Sequence, residues 1–268
     1  MTQPATRSDV WAAGDAYEPY VGRWSRLVAQ QFISWLNVKH GRDWLDVGCG
    51  TGALTRTIAE GAHPRSVIGV DRSAGFVAYA QAKIGGGPVR FETGDAEALP
   101  LATSTVDAAV SGLVLNFVPR PARAVAEMAR VARPGGTVAL YVWDYADKME
   151  LMRYFWDAAA ALDPTARDQD EGIRFPLCRP EPLAQLFAQA DLCDVETRAI
   201  DVPTVFRDFD DYWSPFLGGQ GPAPGYAMAQ SETKRDALKE RIRTMLPIAA
   251  DGTIPLTARA WAVRARTR

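Results

Sequence analysis

The chain has few residues that could do redox, metal or acid–base work, and those few are scattered. Its three cysteines, Cys49, Cys178 and Cys193, are odd in number and form no CxxC or Cys/His spacing. A zinc site and a disulfide framework are therefore not expected, and a reducing, cytoplasmic setting is. No apolar run approaches the roughly 18 residues of a membrane span, so no membrane partner is expected. The opening residues MTQPATRSDV lack the apolar core of a secretory signal. The formal net charge is only −2, which gives no electrostatic reason for nucleic-acid binding. The basic C-terminal stretch RAWAVRARTR alternates apolar and charged residues and reads as a terminal strand with solvated arginines. With 47% hydrophobic and 23% charged residues, the 268-residue chain is globular in composition and long enough for one large domain over 1–268.

What is present is a rhythm. Residues 20–36 carry Val21, Trp24, Leu27, Val28, Phe32 and Trp35 at helical spacing, so an N-terminal helical lid is expected over 1–36. Five apolar strand-like runs then alternate with helical ones between 42 and 143: RDWLDV, SVIGVD, PVRFETGD, VDAAVSGLVL and, after an RPGG turn, TVALYVW. Ser73 is placed to cap the helix that follows the second run. Strands apolar on both faces and alternating with helices imply a parallel sheet covered on both sides, a doubly wound Rossmann-like α/β fold. Beyond Trp143 the rhythm changes. Helices near 149–161 and 182–190 precede a strand near 194–206, and a long insertion precedes the closing strand ARAWAVRAR. The stretches 144–193 and 207–250 are read as cap elements on the substrate side, because ordinary connections are much shorter.

The turn after the first strand, GCGTG (48–52), has the spacing G-x-G-x-G. That is neither the dinucleotide fingerprint nor a phosphate loop with its Lys-Ser/Thr pair. Asp71 ends the second strand, where a carboxylate can accept both hydroxyls of a ribose in either a nicotinamide dinucleotide or an adenosine ligand. In GDAEALPL (94–101), Asp95 could accept from an adenine amine and the Ala96 N–H could donate to the ring.

WLDVGCGTG, VIGVD, GDAEALPL, VDAAVSGLVLNF and RPGG, in this order and at these separations, resemble the class I S-adenosylmethionine-dependent methyltransferases. Within them the chain looks like the small-molecule branch related to ubiquinone/menaquinone and sterol methyltransferases. The resemblance implies a seven-stranded sheet with five parallel βα units and an antiparallel final strand, with 42–143 as the cofactor-binding core. It implies S-adenosylmethionine as cofactor and S-adenosylhomocysteine as product. Gly48, Cys49 and Gly50 would hold the methionine and ribose part, with Asp46 or the turn at the amino group. Asp71, with Arg72 beside it, would meet the ribose; Asp95 and Ala96 the adenine; Leu113 the region of the sulfonium. Tyr20, Arg23 and Trp24 would close over the ligands, with Arg23 able to pair the methionine carboxylate.

Methyl transfer from a sulfonium needs alignment and exclusion of water more than acid–base help. The two histidines, His40 and His63, precede strands and so fall on the side of the sheet away from the ligand. A His-assisted mechanism is therefore disfavoured, and no metal constellation is apparent. The carboxyl ends of the strands are instead aromatic. Trp24, Asn116, Phe117, Trp143, Trp213 and Phe216 are candidate substrate residues, with Asp144 and Tyr145 as candidate acid or base groups. The expected partner is a small organic molecule, aromatic or amine-bearing, with nitrogen slightly favoured over oxygen or carbon as nucleophile. The protein is expected to be a monomer or homodimer. A nicotinamide-dependent oxidoreductase and a non-catalytic S-adenosylmethionine-binding regulator are the alternatives.

Overall fold

The computed structural model describes residues 22–218 and 221–268. Helix α1 (Arg23–Leu36) leads into strand β1 (Asp43–Val47), followed by α2 (Ala53–Gly61), β2 (Ser66–Asp71), α3 (Ala74–Ile84), β3 (Val89–Thr93) and β4 (Val106–Gly112). Next come α4 (Pro121–Val131), β5 (Ala132–Trp143), α5 (Glu150–Leu162), α6 (Glu171–Arg174), α7 (Pro180–Gln189) and β6 (Cys193–Phe206). The chain ends with α8 (Phe209–Trp213), α9 (Pro222–Ala229), α10 (Glu232–Met245) and β7 (Ile254–Arg266).

The seven strands form one sheet in the order β3-β2-β1-β4-β5-β7-β6. The first five pair in parallel, and β7 runs antiparallel to both neighbours. Residues 44–47 of β1 are all buried, as a central parallel strand requires. Right-handed crossovers put α2 and α3 on one face and α4 on the other. There α1 packs beside α2, and α7 beside α4. The local signals act as the sequence suggests. Ser73 Oγ accepts from the Phe76 N–H at 3.3 Å, and Pro121 opens α4.

Three boundaries differ from the sequence reading. Strand β4 stops at Gly112 because Leu113 turns left-handed (φ +62), and a 3₁₀ turn follows at Leu115–Phe117. RPGG does not precede β5 but lies inside it, as a bulge between the Val106–Ala132 and Ala108–Thr137 pairs, with Gly135 at φ +71. Helix α7 packs on β6, β7 and α4, so it covers the sheet and is not part of a cap.

Of the expected N-terminal lid, residues 1–21 lie outside the described residues. The remainder, α1, is a layer helix with Val28, Ala29, Phe32 and Leu36 in the core. Of the stretches expected to form a cap, α5, α8, α9 and α10 gather into one helical group. Its centre is a ring cluster in which Phe155 and Phe216 stack at 4.6 Å, with Tyr212 and Tyr226 beside them.

Candidate functional site

The sheet's strand order reverses between β1 and β4, and the turns after β1, β2, β3 and β4 meet at their carboxyl ends. The first is held open by left-handed glycines, with φ +73 at Gly48, +52 at Gly50 and +90 at Gly52. Gly48 and Cys49 donate to the Val70 carbonyl at 2.7 and 3.0 Å, tying the turn to β2. Asp71 fastens it from the other side: Oδ2 accepts from the Gly50 N–H at 2.9 Å and Oδ1 from the Ser73 N–H at 2.8 Å. Each oxygen keeps a second acceptor position, so Asp71 can hold the turn and still receive two ribose hydroxyls. The Cys49 thiol is buried, and burial pushes its pKa up, so it stays neutral beside the carboxylates.

Asp46 is fully buried in β1. Its Oδ2 accepts from the Thr55 hydroxyl at 2.6 Å, while Oδ1 has no partner. Burial raises its pKa to about 7, with the nearby Asp71 charge acting in the same direction and the Thr55 hydrogen bond opposing. An orphaned carboxylate oxygen at this end of the sheet suits a ligand group that donates hydrogen bonds, such as an ammonium. Glu171, at the start of α6, is the second carboxyl raised to about 7, again by burial, and accepts from the Trp156 indole.

Both groups are protonated more readily in the fold than in the unfolded chain. Their neutral forms therefore stabilise the fold at low pH, and that contribution is lost as pH rises toward about 7. The urea midpoint of the ligand-free protein is expected to fall between pH 5 and 7.5, and Asp46→Asn to flatten the slope. A midpoint that rises or stays level over this range would refute it.

Asp95 is exposed at the head of a tight turn, where its Oδ1 accepts from the Glu97 N–H at 2.9 Å, and Ala96 is half-buried beside it. Arg72 is exposed at the rim. Leu113 keeps its left-handed backbone through an N–H bond to the Tyr141 carbonyl at 2.8 Å. Such strain in a non-glycine residue collects at functional sites. One turn on, both amide atoms of Asn116 are buried without a hydrogen-bond partner. Phe117 packs edge-on against Phe175 at 5.2 Å, and Tyr145 meets the same ring at 5.7 Å.

Several expected site residues are placed differently by the fold. Arg23 is held by an acidic partner yet keeps two nitrogens for a further acceptor. Its Nη1 pairs with Asp211 of α8 at 3.0 Å, and its guanidinium lies over Trp24 and Phe206, leaving Nε and Nη2 without partners. Asp144 accepts from the Asp147 N–H at 3.2 Å, and its burial raises its pKa; it clamps the turn after β5. Trp143 lies in the sheet core at 2% exposure. Phe216 is fully buried on Phe155, and Trp213 packs against Phe216, so both build the interior of the helical group because their ring faces are taken by other rings. Tyr20 lies outside the described residues. His40 and His63 meet edge to face at 4.9 Å in the loops that precede β1 and β2. Among the described residues no group of His, Cys, Asp and Glu could hold a metal ion, and no helix is long and apolar enough to cross a membrane.

Sequence reasoning missed Thr55, Asp211 and Phe175. Thr55 and Asp211 are ordinary polar residues in helices. Phe175 sits in a Pro-containing connection with no periodicity to mark it.

A family model described as a methyltransferase domain matches residues 45–140, from β1 into β5. The chain is 30% identical over 185 residues to a demethylmenaquinone methyltransferase of Desulfitobacterium hafniense, covering 62% of this chain and 71% of that protein. It is also 30% identical over 155 residues to a malonyl-[acyl-carrier protein] O-methyltransferase of Pectobacterium atrosepticum, covering 58% of this chain and 59% of the relative. Across four curated relatives the chain spans only 31–63% of their length. The fold superposes with a TM-score of 0.60 on the Haemonchus contortus phosphoethanolamine N-methyltransferase 2 solved with phosphomonomethylethanolamine and S-adenosylhomocysteine. That match is at 16% identity and covers 94% of this chain and 56% of that one. Strand order, glycine turn and sequence kinship agree: the chain belongs to the class I S-adenosylmethionine-dependent methyltransferases, in their small-molecule branch.

Proposed function

We propose that the protein transfers a methyl group from S-adenosylmethionine to a small organic molecule. The observation that carries this reading is a pair of buried, unpartnered polar groups at the carboxyl ends of the two strands flanking the switch point. They are Asp46 Oδ1 at the end of β1 and the Asn116 carboxamide after β4. Buried polar atoms left without partners cost stability and are kept where a ligand completes them.

When bound, S-adenosylmethionine supplies an electrophilic methyl on a sulfonium, and the chain's own residues hold and aim it. Asp71 receives the ribose hydroxyls, Asp95 and the Ala96 amide the adenine edge, and Asp46 the amino-acid end. Leu113 sets the backbone beside the reacting centre. Asn116 orients the acceptor, offering a donor and an acceptor side by side. Phe117, Phe175 and Tyr145 exclude water from that end, and Tyr145, in ring contact with Phe175, is the nearest candidate for a proton-handling group. Nitrogen is the favoured nucleophile, since an amine can attack in its neutral form without a base.

Calorimetry is expected to give micromolar affinity for both S-adenosylmethionine and S-adenosylhomocysteine, and no heat with either would overturn the reading. Asp71→Ala is expected to weaken both by roughly 10-fold or more, the loss of charge-assisted hydrogen bonds together with slackening at Gly50. Unchanged affinity would remove the ribose assignment.

A further inference from the structure

We propose that the buried edge of the Arg23 guanidinium takes a carboxylate of the methyl acceptor, so that the substrate is an organic acid whose acid group lies far from the atom that is methylated. This rests on the methyl-transfer reading given above.

Nε and Nη2 of Arg23 are buried and have no hydrogen-bond partner among the described residues. An arginine without an acidic partner at the surface is ordinary, because water serves its N–H groups. A buried guanidinium edge has no such recourse and carries a desolvation cost until an acceptor meets it. Arg133 Nη1 is the other buried guanidinium nitrogen without a hydrogen bond among the described residues, and it faces Asp107 at 3.1 Å.

The Arg23 edge has the shape of its ligand. Nε–H and one Nη2–H run side by side, and a carboxylate accepts from both. The protein uses this nitrogen pair twice elsewhere. Arg259 holds Asp201 through Nε and Nη2 at 2.7 and 2.8 Å, and Arg264 holds Glu196 through the same pair at 3.1 and 2.7 Å. In Arg23 the pair is also fixed in place. Nη1 donates to Asp211 Oδ1 at 3.0 Å and to Oδ2 at 3.3 Å, and Oδ2 accepts in turn from the Arg207 N–H at 3.0 Å. The guanidinium carbon lies 4.4 Å from the Trp24 ring centre and 4.8 Å from that of Phe206. Clamped at Nη1 and flanked by two rings, the fork loses little freedom when it binds. The indole N–H of Trp24 is a further buried donor without a partner. Unmet groups that only donate select a group that only accepts, which an ionised carboxylate is. The Arg23 side chain as a whole is 27% exposed, so the fork stands close to solvent.

Its place in the fold assigns it to the acceptor. Strand β6 is antiparallel to β7, and β7 to β5, so β6 runs with β5 and its last residue, Phe206, lies on the ligand side of the sheet. From β1, which carries Asp46, to β6 is four strand spacings, about 19 Å. That distance separates Arg23 from the amino-acid end of the cofactor. From β4, which leads to Asn116, the count is three spacings, about 14 Å. An α-amino acid is too short to bridge it, and an extended acid with its nucleophile near the other end is not.

The test is calorimetry on the full chain, first with S-adenosylhomocysteine and then, on that complex, with octanoate and its neutral isostere octanamide. Saturable octanoate binding is expected, with octanamide at least 10-fold weaker. Arg23→Gln is expected to weaken octanoate at least 10-fold. Arg23→Lys is expected to do the same, because an ammonium keeps the charge and loses the fork. Both variants are expected to bind S-adenosylhomocysteine within 3-fold of the parent. Absence of octanoate binding, equal affinity for octanamide, or a lysine variant within 3-fold of the parent for octanoate would each overturn the proposal and leave the methyl-transfer reading standing. A 10-fold loss of S-adenosylhomocysteine affinity would also overturn it, by giving the fork to the methionine carboxylate. Failure of the parent to bind S-adenosylhomocysteine is the separate result that removes the methyl-transfer reading and this proposal together. If one variant proves unfolded by thermal melt, the other decides.

Discussion

Gly48→Ala is expected to destabilise the protein by about 2–5 kcal/mol and to lower S-adenosylhomocysteine affinity at least 10-fold. Two costs add. An L-residue at φ +73 pays about 1–2 kcal/mol for the left-handed backbone. The new methyl would lie 2.5 and 2.7 Å from the two Val114 methyl groups, an overpacking cost of about 1–3 kcal/mol. Rotating Val114 gives no escape, because its Cβ would also lie within 2.9 Å. The turn must therefore move, and with it the Gly50 N–H that fixes the Asp71 carboxylate. Gly50→Ala provides the internal control: its Cβ would meet nothing within 4 Å, so only the backbone cost of about 1–2 kcal/mol remains. Urea unfolding of the three proteins measures the difference. Equal stabilities for the two alanine variants would show that the Val114 contact does not constrain the turn.

Asn116→Leu is expected to pull stability and activity in opposite directions. In the ligand-free protein both amide atoms are buried and unpaired, so replacing the carboxamide by an apolar group of similar size removes an unmet desolvation cost. A gain of about 1–2 kcal/mol in unfolding free energy is expected. Methyl transfer, read with whichever acceptor a metabolite panel identifies, is expected to fall by about 100-fold or more, because the acceptor loses the group that orients it. S-adenosylhomocysteine affinity should stay within about 3-fold. A loss of stability above about 1 kcal/mol would instead make Asn116 a structural residue, and a large loss of cofactor affinity would move it to the cofactor side. Stability sacrificed at a site in exchange for function is a common pattern in enzymes.

The two variants also separate what could be read along the chain from what could not. Gly48 was legible: a glycine directly after an apolar strand announces a sharp turn, and the later motifs narrowed its ligand. The role of Asn116 was only half legible. Its position after the fourth strand pointed to the ligand side, but whether neighbours satisfy its amide depends on every side chain packed around it. The aromatic residues mark the limit most clearly. Phe117, Trp143, Trp213 and Phe216 look alike in sequence, yet the fold puts Phe117 against Phe175 near the strand ends, Trp143 in the sheet and the other two inside the helical group.

By itself the sequence determined the alternating β and α elements and the glycine turn with its carboxylate on the next strand. The class of cofactor that such a turn can seat followed from these and from the order of the later motifs. These are short-range signals, set by periodicity, turn chemistry and spacing within a few tens of residues. Tertiary structure alone decided that Arg23 is claimed by Asp211, 188 residues away, that its other two nitrogens are buried without a partner, and that Asp144 clamps its own loop. Those outcomes depend on which side chains meet after long loops close. Pairing, burial and the electrostatic consequences of both are properties of the packed chain, and no local pattern encodes them.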